Sequence, residues 1–163
     1  MEFALCAVFV IFLLISMVDF ARGLWIYHTL AEAARVGTRY AMVKGANYVD
    51  PANPSERLGG ATLGDVRTVV TRAAIGMVPD QLVMRFESHA QTIECSPANA
   101  GSCSGTPLTD YWPPTGEAQP GMDVGVSLYY PYNSMVAMFF PGSKGVQFGR
   151  YVLGSKAREK IVN

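Results

Sequence analysis

An uninterrupted apolar stretch near the N-terminus limits how this chain can fold more than any other feature. Phe3 to Val18 has Ser16 as its single polar side chain, contains no Gly or Pro, and is flanked by Glu2 and Asp19. As a helix it is apolar on every face, so it cannot be left in water. It covers only about 24 Å, somewhat less than the roughly 30 Å of a bilayer core. Lipid and copies of the same helix are therefore both suitable surroundings.

A secretory signal peptide is an alternative interpretation of this stretch. A signal peptide carries basic residues before its apolar core and a small-x-small cleavage site after it. Here Glu2 precedes the core and Asp19-Phe20-Ala21-Arg22 follows it. Neither flank has the pattern of a signal peptide.

Helical periodicity continues beyond Asp19. Small and apolar residues recur at steps of three and four, which is typical of an amphipathic helix; they are Leu24, Tyr27, Ala31, Ala34, Thr38 and Ala41. Gly45 and Asn47 supply a stop after Lys44. The sequence thus predicts one helix of roughly 40 residues, about 60 Å long, whose second half lies on a domain of its own chain. We divide the chain into this helix (1–45) and a globular head (46–163).

Composition and charge limit the possible partners. Half of the 163 residues are hydrophobic, which fits one domain plus one extended apolar element. Lys and Arg together number 13, as do Asp and Glu, so the net charge is zero. Without a basic excess there is no long-range field to attract nucleic acid or anionic lipid, and we expect no nucleic-acid partner.

The head is predicted to begin with an irregular connection and a short helix. Asn47 to Gly60 is rich in Pro, Gly and Asn. Thr62 or Gly64-Asp65 then opens a helix with one apolar stripe, which Gly76 and Pro79 terminate. We expect this amphipathic helix to be covered on one face by the head.

Alternating patterns predict antiparallel strands in the remainder. The first extends from Gln81 through Thr92-Ile93, and Asp123 to Tyr130 is the clearest, with Pro131 ending its ladder. Thr106 to Gly121 is expected to be irregular. Asn133-Ser134 is expected to begin one or two helical turns reaching Phe140, and Gly145 to about Arg158 is the last predicted strand. The fold class is thus α+β: a long helix packed against a small antiparallel sheet and a second short helix.

Three cysteines occur in the chain. Cys95 and Cys103 flank a turn-rich loop whose ends can meet, and a disulfide there would indicate an oxidising compartment. A metal site is the alternative, but His89 is the only imidazole nearby and the spacing matches no zinc pattern. Cys6 lies in the apolar stretch and is interpreted as a small buried side chain.

Catalytic motifs are absent from the sequence. It contains no phosphate-binding loop with a Lys, no nucleophile elbow, no Cys-x-x-Cys and no His pair at metal spacing. His28 and His89 are expected at the surface or at an edge. We therefore expect neither an enzyme nor a cofactor, metal or catalytic site.

Two sets of residues have alternative interpretations. Aromatic residues could stack on bases or sugars, although packing or subunit contact is favoured without adjacent basic residues; they are Tyr111, Trp112, Tyr129, Tyr130 and Tyr132. Small residues at four-residue steps would let another helix approach or would lie on the chain's own sheet, the latter being preferred; they are Ala33, Gly37 and Ala41.

Charged residues border the apolar stretch. Glu2 needs a partner if it is ionised in an apolar medium, such as the terminal amine of another copy; otherwise it lies in the lipid headgroup region or at a favourable helix N-terminus. Asp19 and Arg22 are three residues apart and can pair on one helix face. They form either a solvated boundary pair or, in a bundle of subunits, a partly buried pair that sets register.

The N-terminal region resembles a known family. Glu2-Phe3-Ala4-Leu5, then Asp19-Phe20-Ala21-Arg22-Gly23-Leu24, then Ala33-Ala34-Arg35-Val36-Gly37-Thr38-Arg39-Tyr40-Ala41 are similar to TadE/TadG-like pilins and pseudopilins of the tight-adherence branch of type IV pili. Met122 to Tyr130 with Pro131-Tyr132, and a closing strand ending near Arg158, resemble that family's C-terminal half less specifically.

The resemblance implies a structural subunit of a bacterial pilus filament. It implies a pilin-like fold, a homopolymer formed through N-terminal helices, and residence in the cytoplasmic membrane with the head outside before assembly into an extracellular pilus. The implied partners are the pilus assembly machinery and a prepilin peptidase. Family precursors carry a basic leader cut after a Gly, whereas only Met1 precedes Glu2. We expect either that the given sequence begins late or that leader cleavage does not apply.

These expectations define a candidate assembly site on the first part of the helix. Its members are Glu2, Phe3, Leu5, Phe9, Val10, Phe12, Leu13, Ile15, Asp19 and Arg22. The alternative function is a membrane-tethered minor pseudopilin or an adhesin-type binding module whose aromatic loops meet a ligand.

Overall fold

The computed structural model describes residues 2–45, 60–97, 102–114, 116–135 and 150–161, with the backbone alone for residues 2–6 and Arg150. Helix α1 is continuous over Glu2–Val43, 42 residues or about 63 Å. The long helix is therefore confirmed, and it ends one residue before the predicted Lys44. The predicted irregular connection, Asn47 to Gly60, lies outside the described residues except for Gly60 itself.

Helix α2, Leu63–Ala73, begins with a reciprocal cap. The Asp65 backbone amide donates to the Thr62 hydroxyl at 3.1 Å, and the Thr62 amide donates to the Asp65 carboxylate at 3.0 Å. Such a capping box satisfies two amides that the first helical turn leaves unpaired. Of the two starts that the sequence offers for this helix, Thr62 is therefore the one that caps it. Gly76, at a φ of 79° that favours glycine, lies in the turn after the helix.

Four strands form an antiparallel sheet; they are β1 (Val83–Glu87), β2 (Thr92–Cys95), β5 (Asp123–Asn133) and β6 (Arg150–Lys160). Their order in the sheet is β2-β1-β5-β6. A second pair consists of β3 (Ser102–Cys103) and β4 (Thr106–Pro107), and Pro79–Gln81 forms a 3-10 turn. The predicted α+β class is confirmed.

Two strand predictions were wrong. The expected run from Gln81 to Ile93 is a hairpin, because Ser88 bonds to the Gln91 carbonyl through both its amide and its hydroxyl and reverses the chain. Pro131 does not end β5, which pairs with β6 as far as Asn133. Since β1 pairs with β5 only up to Tyr129, Pro131 occupies an edge position on the β1 side, where a missing N–H is tolerated.

The last strand is confirmed from Arg150 onwards. The residues predicted before it, 145–149, and the helical turns predicted up to Phe140 lie outside the described residues.

The core lies between the helices and one face of the sheet. Val124, Val126 and Leu128 of β5 are fully buried and face this layer. Gly37 of α1 brings the helix close, because a Cβ there would lie 2.4 Å from Val70 and 3.7 Å from Val126. Ala33 and Ala41 are also fully buried. The small-residue strip therefore serves packing within the chain, as preferred.

Candidate assembly surface

The first part of α1 projects beyond the head with most of its described apolar side chains exposed. Phe9 is 68 % exposed, Val10 53 % and Leu13 52 %, whereas Phe12 and Ile15 are partly buried. Within Ala7–Val43 the most apolar stretch is almost wholly unburied, and by length and composition this helix is long and apolar enough to cross a membrane. The backbone of Glu2, Phe3 and Leu5 belongs to the same helix, but their side chains are outside the description.

The single polar side chain of this stretch is satisfied within the helix. The Ser16 hydroxyl donates to the Phe12 carbonyl at 2.9 Å. This bond to the helix's own backbone satisfies the hydroxyl without a water molecule. A polar group in an apolar medium requires such an internal partner. The surface from Ala7 to Val18 is consequently apolar in its outward chemistry.

Asp19 marks the point where the head meets the helix, and it is only 6 % exposed. The Tyr132 hydroxyl lies 2.6 Å from Oδ1 and 2.8 Å from the Asp19 carbonyl oxygen, and the Met135 amide donates to Oδ1 at 3.1 Å. The Ser134 hydroxyl donates to the other carboxylate oxygen. We call these four residues the Asp19 cluster. A buried carboxylate requires such donors, because an unpaired one is costly to desolvate.

The tyrosine of the cluster is held as a neutral donor. Burial raises the pKa of Tyr132 to about 12, with the hydrogen bond to Asp19 and its charge acting in the same direction and Arg22 against it. The Arg22 guanidinium lies 5.7 Å from the centroid of the Tyr132 ring. The ring lies beside Gly23, where an added Cβ would be at an ordinary contact distance of 3.7 Å from it.

Of the two interpretations of Asp19 and Arg22, the solvated boundary pair is therefore wrong for Asp19. The end of β5 encloses its carboxylate, while Arg22 stays exposed and stacks on Tyr132. Tyr132 and Ser134 were missed as partners because they lie more than 110 residues away in sequence. A carboxylate at the end of an apolar run was the one signal that a partner was needed.

The structure also locates the cysteine pair of the head. Cys95 and Cys103 form the predicted disulfide, so the metal alternative does not apply to them.

The aromatic residues singled out in the sequence mostly pack inside the head. Trp112 is 1 % exposed and packs edge-on against Phe86, and Tyr130 and Tyr132 are also buried, which confirms a packing role for these three aromatics. Tyr111 remains exposed, and Tyr129 stacks with Arg85. Both histidines are at the surface.

Comparison with known families matches residues 1–39 to the family described as TadE-like protein. The match confirms the resemblance seen in the N-terminal residues. It covers the projecting half of α1 (residues 2–18), Asp19 and Arg22, and most of the half that packs on the head (residues 19–43). Searches of curated proteins and of solved structures returned no match.

Proposed function

We propose, from the TadE-like character of residues 1–39, that this chain is a structural subunit of a Tad-type pilus filament. In this proposal the head is held outside the cytoplasmic membrane by α1 before assembly, and the subunit then joins an extracellular polymer. The supporting observation is the exposed apolar surface of Val8 to Val18, which the head leaves uncovered.

The energetic argument for polymerisation follows from that surface. Each added copy hides apolar helix area, at about 25 cal/mol per Å², and this gain opposes the cost of immobilising a subunit. A membrane offers the same helix an equivalent solvent before assembly. The chain thus passes between two apolar surroundings and does not need to expose the helix to water.

The proposed roles of the candidate residues follow. Phe3, Leu5, Phe9, Val10, Phe12, Leu13 and Ile15 supply apolar contact, Glu2 pairs with a positive group of a neighbouring copy, and Asp19 and Arg22 join the helix to the head. The proposed partners are other copies, the assembly machinery and, for a precursor form, a prepilin peptidase. No enzymatic role is proposed.

Aspartate substitutions on the exposed half of α1 test the proposal. We expect Val10→Asp or Leu13→Asp to abolish assembly or membrane insertion, because a charge at the centre of a spanning helix costs about 2.5–3.5 kcal/mol or more. Filaments sheared from cells are counted by electron microscopy, and the chain is quantified in that fraction. His89→Asp, at an exposed head position, is the matched control and should assemble normally. Wild-type filament yield from Val10→Asp contradicts the proposal.

The second candidate is a membrane-tethered minor pseudopilin or adhesin-type module. The observation in its favour is the outer face of the sheet, which presents partly exposed charged pairs to a partner; they are Arg85–Glu94, Lys156–Glu87 and Arg158–Asp123. A major subunit dominates the sheared filament fraction, whereas a minor or tethered one is rare in it and stays with the membrane. Quantifying the chain in both fractions separates the two candidates.

A further inference from the structure

Exposed apolar side chains of the head are concentrated at its end nearest the projecting helix. Outside Val8–Val18, most large exposed hydrophobics of the described residues come from the start of the packed half of α1, the turn after α2, and the adjoining ends of β5 and β6. Six of them, 43 to 70 % exposed, form what we call the rim; they are Phe20, Trp25, Ile75, Val78, Met135 and Tyr151.

Contacts place the rim within about two turns of α1, from Asp19 to Trp25. The Trp25 ring lies against Gly76, where an added Cβ would be 2.4 Å from it, so Ile75 is at this height. On the sheet side, the Met135 amide bonds to Asp19. Tyr151 pairs with Tyr132 across β5 and β6 and lines a groove with Phe20. The rim thus surrounds the point where the projecting helix leaves the head, with members on both its α2 side and its β6 side.

The Asp19 cluster extends the apolar surface up to the rim. Because the Asp19 carboxylate is enclosed by the head, the outward surface is apolar in sequence from Phe3 to Ala21, about 28 Å of helix. This length is close to the roughly 30 Å of a bilayer core, whereas the stretch ending at Val18 was too short. The rim therefore lies where the hydrocarbon would end.

The chemistry of the rim fits the interfacial layer of a bilayer. Trp and Tyr are enriched there because their rings have an apolar body and a polar tip. Arg22 is exposed at the same level, and its guanidinium suits lipid phosphates. A neighbouring helix would contact a single stripe of side chains along α1. The rim instead comes from three parts of the fold that surround the helix, and such a ring of side chains suits a bilayer surface that the helix crosses.

We propose that the rim is a membrane-contact surface that seats the head in the interfacial layer of a phospholipid bilayer, with Arg22 facing the phosphates. This inference rests on the proposed membrane-held form of the subunit. It adds that the head contacts lipid directly and at a defined depth, so that the helix does not act as a free tether.

Depth-dependent fluorescence quenching of single-tryptophan variants tests this inference. The full chain is reconstituted in vesicles of phosphatidylethanolamine and phosphatidylglycerol whose acyl chains carry bromine near either the glycerol or the methyl end. Trp112→Phe leaves Trp25 as the only tryptophan; the buried Trp112 Nε1 has no hydrogen-bond partner among the described residues, so the substitution leaves no acceptor unpaired. Adding Trp25→Phe allows one probe each from Tyr151→Trp, Val10→Trp and Tyr111→Trp.

The expected pattern distinguishes the rim from both the span and the far end of the head. Trp25 and the Tyr151→Trp probe should be quenched more by bromine near the glycerol, and the Val10→Trp probe more by bromine near the methyl end. The Tyr111→Trp probe should be unquenched, because Trp112 next to it bonds to Ala61, which is held by Lys44 at the distal end of α1.

The other outcomes have separate meanings. If the Val10→Trp probe is quenched and the Tyr151→Trp probe behaves like the one at Tyr111, the rim inference is overturned while membrane anchoring stands. If no probe is quenched, the proposed membrane-held form fails as well. A blue shift of the Tyr151→Trp probe that depends on the protein-to-lipid ratio, without quenching, assigns the rim to contact with a second copy and overturns the lipid assignment.

Discussion

At the scale of single residues, the junction between helix and head depends on a few polar groups in an apolar setting. Asp19 has three donors from one short segment, Tyr132 to Met135, and its burial is acceptable only because those donors are present. Ser16 avoids the same problem by bonding its own helix. The projecting half can thus be apolar outside without an unsatisfied polar group at its base.

Removing the Tyr132 hydroxyl tests this account. We expect Tyr132→Phe to lower the free energy of unfolding by about 1–3 kcal/mol, because the buried Asp19 carboxylate loses a donor. Chemical unfolding of the full chain in detergent, followed by near-UV circular dichroism, measures the loss. Tyr111→Phe removes a hydroxyl from an exposed ring and should change little; equal effects of the two substitutions would show that the cluster does not stabilise the junction.

Alanine substitutions at two glycines of α1 are expected to change the stability in opposite directions. Gly37→Ala should destabilise the head by about 1–3 kcal/mol, because its Cβ would meet Val70 at 2.4 Å. Gly23→Ala, whose nearest neighbour would be at 3.7 Å, should be neutral or stabilising by up to about 1 kcal/mol through helix propensity. Thermal unfolding of both variants measures the contrast. Adding Val70→Ala to Gly37→Ala should cost less than the sum of the two single changes, and strict additivity would contradict the close approach.

At the scale of elements, the sheet has a buried apolar face and a charged outer face, which places Glu87 among cations. Burial alone would raise the pKa of Glu87, but the hydrogen bond and charge of Lys156, the Ser127 hydroxyl and the charge of Arg158 together lower it below its usual 4.5. A lowered folded-state pKa contributes stability above the unfolded pKa, and this contribution is lost as pH falls through the folded value.

Glu87→Gln should therefore reduce stability near neutral pH by about 1 kcal/mol or less and flatten its decline below pH 4.5. Unfolding free energies of the full chain in detergent, measured from neutral to acid pH, give the comparison. Glu32→Gln, on an exposed helical side chain, is the control and should keep the wild-type decline. An unchanged acid profile for Glu87→Gln would assign the acid sensitivity of the fold to other carboxylates.

Elements with a local signal could be predicted from the sequence, and those set by distant contacts could not. The apolar run, the Thr62 cap and the alternation in Asp123–Tyr130 each indicate their secondary structure through residues that are neighbours in sequence. The reversal at Ser88 and the continuation through Pro131 depend on which strand is adjacent. The exposed candidates on α1 were visible in the sequence, but the enclosure of Asp19 required the β5 end to be brought across the fold.

At the scale of the whole molecule, α1 belongs to two environments. From Ile26 onwards its buried side chains complete the core of the head, with Leu30 and Ala34 fully buried, whereas none of Val8 to Val18 belongs to the core formed by the described residues. The Asp19 cluster lies between these regions. The head should therefore fold without the projecting part, provided that the helix is cut before Asp19.

Two truncations test this division. Deleting residues 2–15 should yield a monomer that stays soluble without detergent and keeps the Cys95–Cys103 disulfide, because the Asp19 cluster and all core residues in the described part of the chain remain. Deleting residues 2–30 also removes Ile26 and Leu30, and losing large core side chains costs about 2–5 kcal/mol each, so this variant should aggregate or unfold. Size-exclusion chromatography without detergent and circular dichroism compare the two. If the shorter deletion also unfolds, the projecting half supports the head, and the separation of anchor from core is wrong.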